Sequence, residues 1–196
     1  AALAIELHDK RIAGSEEFSS LLQANIRELE MPYAEFNVDI KESINYGQFG
    51  KDSVQFLFSA NKNVALRELS KVASGGEVSR IMLCLKAVNA KIIEMPSMIF
   101  DEIDTGVSGR IADKMGNLLD DLSKNLQIFA ITHLPQIASK GNTHLLVYKE
   151  IDDKNVTNTH IKEIVGFERE KEIARMLSGS ELTQAAFNNA KELLKK

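Results

Sequence analysis

A single cysteine, Cys84, stands in a chain of 196 residues. It excludes an internal disulfide framework and suits a reducing cytoplasm. Its place inside a helical pattern predicts a small core residue rather than a nucleophile. Basic residues are not in excess: 24 Lys and Arg stand against 28 Asp and Glu, a formal net charge of −4. The composition as a whole therefore carries no nucleic-acid signature, although it leaves room for a local basic patch. No apolar run approaches the ~18 residues of a membrane span. The opening stretch AALAIELHDKRIAG has no basic n-region and no long apolar core, so no signal peptide is expected. Also lacking are a Cys/His cluster with metal-ligand spacing and a Gly-x-Ser-x-Gly elbow.

What is present is 44% hydrophobic and 27% charged, the composition of a globular domain or a large part of one. Residues 1 to about 30 read as a helix. Phe18, Leu22, Asn25 and Leu29 follow a 4-3-4 spacing, a short heptad seam with one polar position, interrupted by Gly14 and closed by Pro32. An ordinary amphipathic helix and the stub of a longer coiled coil both fit this pattern. AEFNVDIKE and DSVQFLFSA read as strands, with NYGQFGKD as the loop between them. Then VASGGEVSR opens a helix whose buried face is predicted to be Val78, Ile81, Met82, Leu85, Val88 and Ile92. SMIF and LQIFAIT are apolar runs of the kind that form buried strands. Between them lie the loop DEIDTGVSG and a helix over about 107–123 that buries Ile111, Met115, Leu118, Leu119 and Leu122. A hairpin over 144–164, turning near DDKN, and helices over about 168–177 and 181–195 complete the chain. Strands separated by helices predict an α/β fold with a mostly parallel sheet. Ligands sit beyond the carboxyl ends of such strands, and both DE and TH fall there.

Asp101 and Glu102 follow the apolar Met98, Ile99 and Phe100 directly. Adjacent carboxylates at a strand end fit a Mg²⁺ ligand beside a group that orients or deprotonates water; a pair of acids entering a solvated loop fits as well. Ser74 and Glu77 have the spacing of a capping box. That spacing leaves Gly75 and Gly76 without a reason, since Gly in a helix costs ~1 kcal/mol relative to Ala. Bare glycines at a helix N-terminus would let a phosphate approach the free N–H groups. His133 closes the second apolar strand, where it can donate to a phosphate or a water or serve packing alone. His8, His144 and His160 have no comparable context and are expected at the surface or in packing.

Taken in order, ASGGE resembles the ABC signature, SMIFDE the Walker B strand, IDTGVSG the D-loop and ITHLPQIA the H-loop. Together with the tail IARMLSGSELTQAAFNNAKELL, these motifs resemble the SMC-like DNA-repair ATPases of bacteria, a branch of the ABC ATPase superfamily. The likeness covers about residues 35–196. A Walker A loop, G-x-x-x-x-G-K-[ST], is missing. The nearest string, GQFGKDS, has the wrong glycine spacing and Asp52 in place of Ser or Thr.

The resemblance therefore implies the C-terminal half of an ATPase head, with residues 1–31 as the coiled-coil stub and 32–196 as the C-terminal lobe. It implies ATP and Mg²⁺ as ligands, and as partners an N-terminal half carrying Walker A, a second ATP-bound head and DNA. It also implies a cytoplasmic, nucleoid-associated setting and a role in double-strand break repair and recombination. In that scheme Asp101 serves Mg²⁺, Glu102 the water and His133 the γ-phosphate. Ser74, Gly75, Gly76 and Glu77 would close over the nucleotide of another head, and Asp104 would work across the head dimer. Alone, the chain is expected to bind no ATP. Two other readings remain open here: the matching half of a different SMC-like ATPase, and an interaction module that never meets nucleotide.

Overall fold

The structure, a computed structural model, describes residues 2–71, 74–152, 155–179 and 181–195, and divides into two compact units. The first comprises Ala1–Pro96 with Thr105–Val107; the second comprises Ser97–Asp104 with Ser108–Lys196.

The first unit opens with α1 (Ala2–Glu28), which runs straight through Gly14. Its second half is anchored by the fully buried Leu22 and Ile26, and Leu29 is buried just beyond it. Leu3 and Ile5 near its start are exposed. Ile26, absent from the expected seam, is buried, while Asn25 is only half-buried. The helix packs on β1 (Glu35–Gly47) and β2 (Gly50–Ser59), an antiparallel pair with Phe36 opposite Phe58 and Val38 opposite Phe56. Phe18 joins this face, its ring centroid 6.3 Å from Phe36 and 6.2 Å from Phe56. Burying a side chain of this size stabilises by ~1.5–3 kcal/mol, so these contacts tie the helix to the hairpin. A short β3 (Arg67–Glu68) pairs with β2. The expected eight-residue loop NYGQFGKD shrinks to Gln48 and Phe49: a register shift between Glu42 and Gly47 lets β1 continue to the glycine.

Next, α2 (Gly75–Ile93) buries Ile81, Leu83, Cys84, Ala87, Val88 and Ala90. This corrects the expected face, because Val78, Met82 and Ile92 are exposed. Cys84 is a core residue, and burial pushes its thiol up to about 12.

In the second unit, β4 (Ser97–Asp101) and β5 (Gln127–Ile131) are parallel neighbours, with Asp101 opposite Ile131. The strand ends carrying DE and TH therefore lie at the same edge, as the topology predicts. One face of the pair holds the buried Met98 and Phe100; the other exposes Ile99, Phe129 and Ile131. The strands are thus buried on one face of this unit rather than on both. Between them, α3 (Gly109–Ser123) buries Met115, Leu119 and Leu122 and contacts β5 and the short α4 (Pro135–Ala138). The hairpin of β6 (Leu145–Ile151) and β7 (Thr157–Glu163) is antiparallel. Its turn near DDKN includes Asp153 and Lys154, outside the described residues. Helices α5 (Gly166–Ser178) and α6 (Gln184–Leu194) close the unit around Ile173, Ala174, Ala186 and Ala190. The parallel element among the described residues is thus one strand pair, and the other sheets are antiparallel. No described helix is long and apolar enough to cross a membrane.

Candidate functional site

The first turn of α2 is built by Ser74 and Glu77. Ser74 sits at the N-cap in extended backbone, and its carbonyl accepts the first helical bond from Val78 N–H at 2.9 Å. The Glu77 carboxylate reaches back and accepts both the Ser74 N–H, at 2.8 Å, and the Ser74 hydroxyl, at 3.0 Å. Val72 and Ala73, which begin the signature-like stretch, lie outside the described residues.

The two glycines differ. A Cβ added to Gly75 would meet nothing within 4 Å. One added to Gly76 would lie 2.6 Å from the carbonyl oxygen of Gly106, closer than a real Cβ ever approaches backbone. Gly106, in the D-loop-like stretch, has φ of +73°, and a Cβ added there would lie 3.2 Å from Gly76 N. Ser79 adds a second tie, its hydroxyl donating to Gly75 O at 3.1 Å with Thr105 O at 3.3 Å. Arg80 Nε donates to Gly76 O and its Nη1 to Leu29 O, both at 3.0 Å. Gly76 is therefore bare because backbone of its own unit lies on it. The space at the two helix-opening glycines thus differs: the Cβ position is open at Gly75 and closed at Gly76.

In the second unit, Asp101 ends β4 and Glu102 follows it, both exposed. Glu102 takes φ of 47°, a left-handed conformation unusual for a non-glycine residue, and its N–H donates to Ile131 O at 3.2 Å. Such backbone costs about 1–3 kcal/mol and clusters at functional sites. Asp104 turns inward rather than outward toward a partner. Its side chain is 0% exposed, and Oδ2 accepts from the Thr132 hydroxyl and from His133 N–H at 3.1 Å. Thr132 Oγ1 in turn accepts from Leu134 N–H at 3.0 Å. The His133 ring remains exposed, its Nδ1 3.4 Å from the same Asp104 oxygen. The fold thus brings Asp101, Glu102, Asp104 and His133 to one edge of the parallel pair. Ser74, Gly75, Gly76 and Glu77 belong to the other unit.

A charged network on α1 and β2 is not visible in the motifs. The Asp52 side chain is 1% exposed, with His8 Nδ1 at 2.7 Å and Arg11 Nη1 at 2.8 Å. The hydrogen bonds from Arg11 and then from His8 hold its carboxyl below the usual range. Lys51 pairs with Glu42 at 2.5 Å, so Lys51 and Asp52 of GQFGKDS are both engaged in ion pairs and not arranged as a phosphate loop. His8, expected as a surface or packing residue, is the hinge of this network, 3.8 Å from Glu42 on its other nitrogen. Its spacing to Arg11 on one helix was the available signal. Arg169 was also missed; its Nη2 donates to Ser139 O at 3.0 Å and Gly141 O at 2.6 Å, fastening the segment after α4.

No family model matches the chain. Among curated proteins, it is 38% identical over 194 residues to the DNA repair protein RecN of Vibrio cholerae, covering 98% of this chain and 35% of that protein. It is 39% identical to RecN of Rickettsia bellii, over 96% of this chain and 34% of the relative. With RecN of Bacillus subtilis it shares 46% identity over 146 residues, 74% of this chain and 25% of the relative. The chain belongs to the RecN family. It spans about a third of the length of these relatives, matching their C-terminal part. Among solved structures, an Smc head bound to the C-winged helix domain of ScpA aligns with a TM-score of 0.60 at 16% identity, over 78% of this chain and 44% of that one. The Smc head domain with a coiled coil and joint from Pyrococcus yayanosii aligns at 0.58 and 13% identity, over 74% of this chain and 26% of that one. The fold is thus that of an SMC-type ATPase head, and the RecN relatives carry the DNA-repair name.

Proposed function

We propose that the chain is the C-terminal part of a RecN ATPase head that acts in DNA double-strand break repair and recombination. The observation that carries this reading is the parallel pair. Asp101 and Glu102 leave one strand, and Thr132 and His133 leave its neighbour at the same edge, where ligands of α/β sheets sit. The relatives' name, DNA repair protein RecN, supports this setting; a nucleoid-associated protein that meets DNA is part of the proposal.

In this reading Asp101 is the Mg²⁺ ligand, and the donor set suits a hard cation, since carboxylate oxygens are what Mg²⁺ takes. The metal's chemistry is to neutralise charge on the triphosphate of ATP. Glu102, held in its left-handed turn, orients or deprotonates the attacking water. His133 faces the γ-phosphate or that water from the neighbouring strand. Gly75 and Ser74 receive the nucleotide of a second head, because they are the exposed part of the α2 terminus, and the Ser74 hydroxyl would exchange the Glu77 carboxylate for a phosphate oxygen. Gly76 keeps its close contact with Gly106, and Glu77 holds the cap. Dimerisation of heads around ATP follows from this division of labour.

The exposed face of the β4–β5 pair, with Ile99, Phe129 and Ile131, supports the remaining partner. Parallel sheets are covered on both faces. The N-terminal part of the protein, with the Walker A lysine, is assigned to that face; the start of α1 leads into the coiled coil. The experiment is reconstitution. The isolated chain is expected to bind no ATP and to turn none over, and addition of the matching N-terminal part should restore Mg²⁺-dependent hydrolysis. Micromolar ATP binding by the isolated chain in calorimetry, or no hydrolysis by the reconstituted protein, would overturn the reading.

A further inference from the structure

We propose that Asp104 is a positioning residue for His133: its buried carboxylate fixes the imidazole with hydrogen on Nδ1 inward, which leaves Nε2 as the nitrogen turned to the nucleotide. The inference rests on the nucleotide reading above, but its geometry stands alone. One oxygen, Asp104 Oδ2, gathers three groups of the turn after β5: the Thr132 hydroxyl, the His133 N–H at 3.1 Å and His133 Nδ1 at 3.4 Å. The other, Oδ1, is buried without a hydrogen-bond partner. A buried orphan acceptor is costly, which is poor use of a carboxylate whose only duty is to tie a turn.

The tautomer follows from charge. A neutral imidazole carries its hydrogen on one nitrogen and a lone pair on the other, and the partner of one nitrogen decides which. A lone pair on Nδ1 would face an anionic oxygen 3.4 Å away and be repelled, whereas an N–H there turns its positive end toward the carboxylate and is attracted. With Nδ1–H set inward, Nε2 of the neutral ring accepts a hydrogen bond, and it donates to a phosphate oxygen only as imidazolium. Asp104 thereby governs what His133 can do to water or phosphate without touching either. The backbone bond to His133 N–H adds orientation, since it fixes the peptide that carries the ring.

The test is nitrogen NMR of ring-labelled histidine in the complete protein, assigned by loss of the signal in His133→Gln. The expected result is the Nδ1–H tautomer in the wild type. Asp104→Ala is the separating variant, because no oxygen then faces Nδ1; Asp104→Asn, whose amide oxygen can still accept from Nδ1–H, is the conservative control. Asp104→Ala should shift the ring toward the Nε2–H tautomer and lower kcat by about 10- to 100-fold, as expected when a histidine loses the group that orients it, with ATP affinity nearly unchanged, while Asp104→Asn keeps the Nδ1–H ring. Thr132→Val should lower thermal stability and leave the tautomer as it was. An Nε2–H ring in the wild type overturns the proposal, and that measurement needs no variant to fold. So does an Asp104→Ala protein with wild-type tautomer, or one with altered tautomer and wild-type kcat. The tautomer is readable whether or not the protein hydrolyses ATP, so failure of the nucleotide reading is told apart from failure of this one.

Discussion

Gly76 and Gly106 meet backbone to backbone, and a methyl group at Gly76 would stand 2.6 Å from the Gly106 carbonyl oxygen. The neighbouring Gly75 has open space where its Cβ would be. The two glycines of one helical turn therefore have opposite fates on substitution. Gly76→Ala gains helix propensity of ~1 kcal/mol but forces backbone apart at a cost of about 1–3 kcal/mol, and is expected to lower stability. Gly75→Ala gains the propensity alone and should be neutral or stabilising. Thermal unfolding of the two variants in the complete protein checks the pair; equal effects would mean that the contact with Gly106 does not exist in solution.

The order of elements, the parallel pair, the capping carboxylate of Glu77 and the buried Cys84 were legible in the sequence because each is a local pattern. The buried face of α2 was not. Val78, Ile81, Met82, Leu83, Cys84, Leu85, Ala87 and Val88 spread apolar side chains around most of the helix, so periodicity could not choose between the Ile81–Cys84–Val88 face and its neighbour. The close packing at Gly76 was not legible for a different reason: its steric partner, Gly106, lies far along the chain. Asp104 has the same cause, since an acid in a polar loop reads as exposed until Thr132 and His133 are brought to it. Gly47 reads as a turn residue, yet the register shift after Glu42 keeps it in the strand.

Glu102 and Asp101 should separate by what their amides spare. Glu102→Gln keeps the size and the left-handed backbone but removes the carboxylate; if Glu102 is the base proposed above, ATP binding should persist while hydrolysis falls by ~10² to 10⁴-fold. Asp101→Asn should weaken Mg²⁺-dependent nucleotide binding itself. Calorimetry with and without Mg²⁺, beside single-turnover hydrolysis, distinguishes them. Loss of ATP binding in Glu102→Gln would make that carboxylate a structural or metal-site residue.

Asp52 ties α1 to the hairpin of β1 and β2, and the tie depends on pH. Hydrogen bonds from Arg11 and His8 lower its folded pKa beneath the unfolded carboxylate value of 3.8. A depressed folded pKa stabilises above the unfolded value, and the stabilisation is lost as pH falls through the folded one. The expected outcome is a loss of stability below about pH 4 that Asp52→Asn flattens, with lower stability for that variant at neutral pH. Denaturant midpoints between pH 2 and 7 check it; parallel curves for wild type and variant would remove Asp52 from the acid limb.

The open glycine is where the role of the α2 terminus can be isolated from its folding. Asp at Gly76 would unfold the turn and answer nothing, so Gly75→Asp is the informative substitution. It has space, and an acid near a helix N-terminus is electrostatically favourable. The variant should therefore keep near-normal thermal stability. If the Ser74–Gly75 backbone receives the triphosphate bound by a second head, the added carboxylate repels it. Each head should still bind ATP through its own Walker A, while ATP-dependent dimerisation and hydrolysis fail. Mixing Gly75→Asp with a variant lacking the Walker A lysine sharpens the test. In a heterodimer, one composite site carries both lesions and the other carries neither. Partial hydrolysis should appear in the mixture and in neither parent, measured by steady-state phosphate release. A Gly75→Asp protein that dimerises and hydrolyses ATP as the wild type does would reduce Ser74–Glu77 to a helix cap and end the signature assignment.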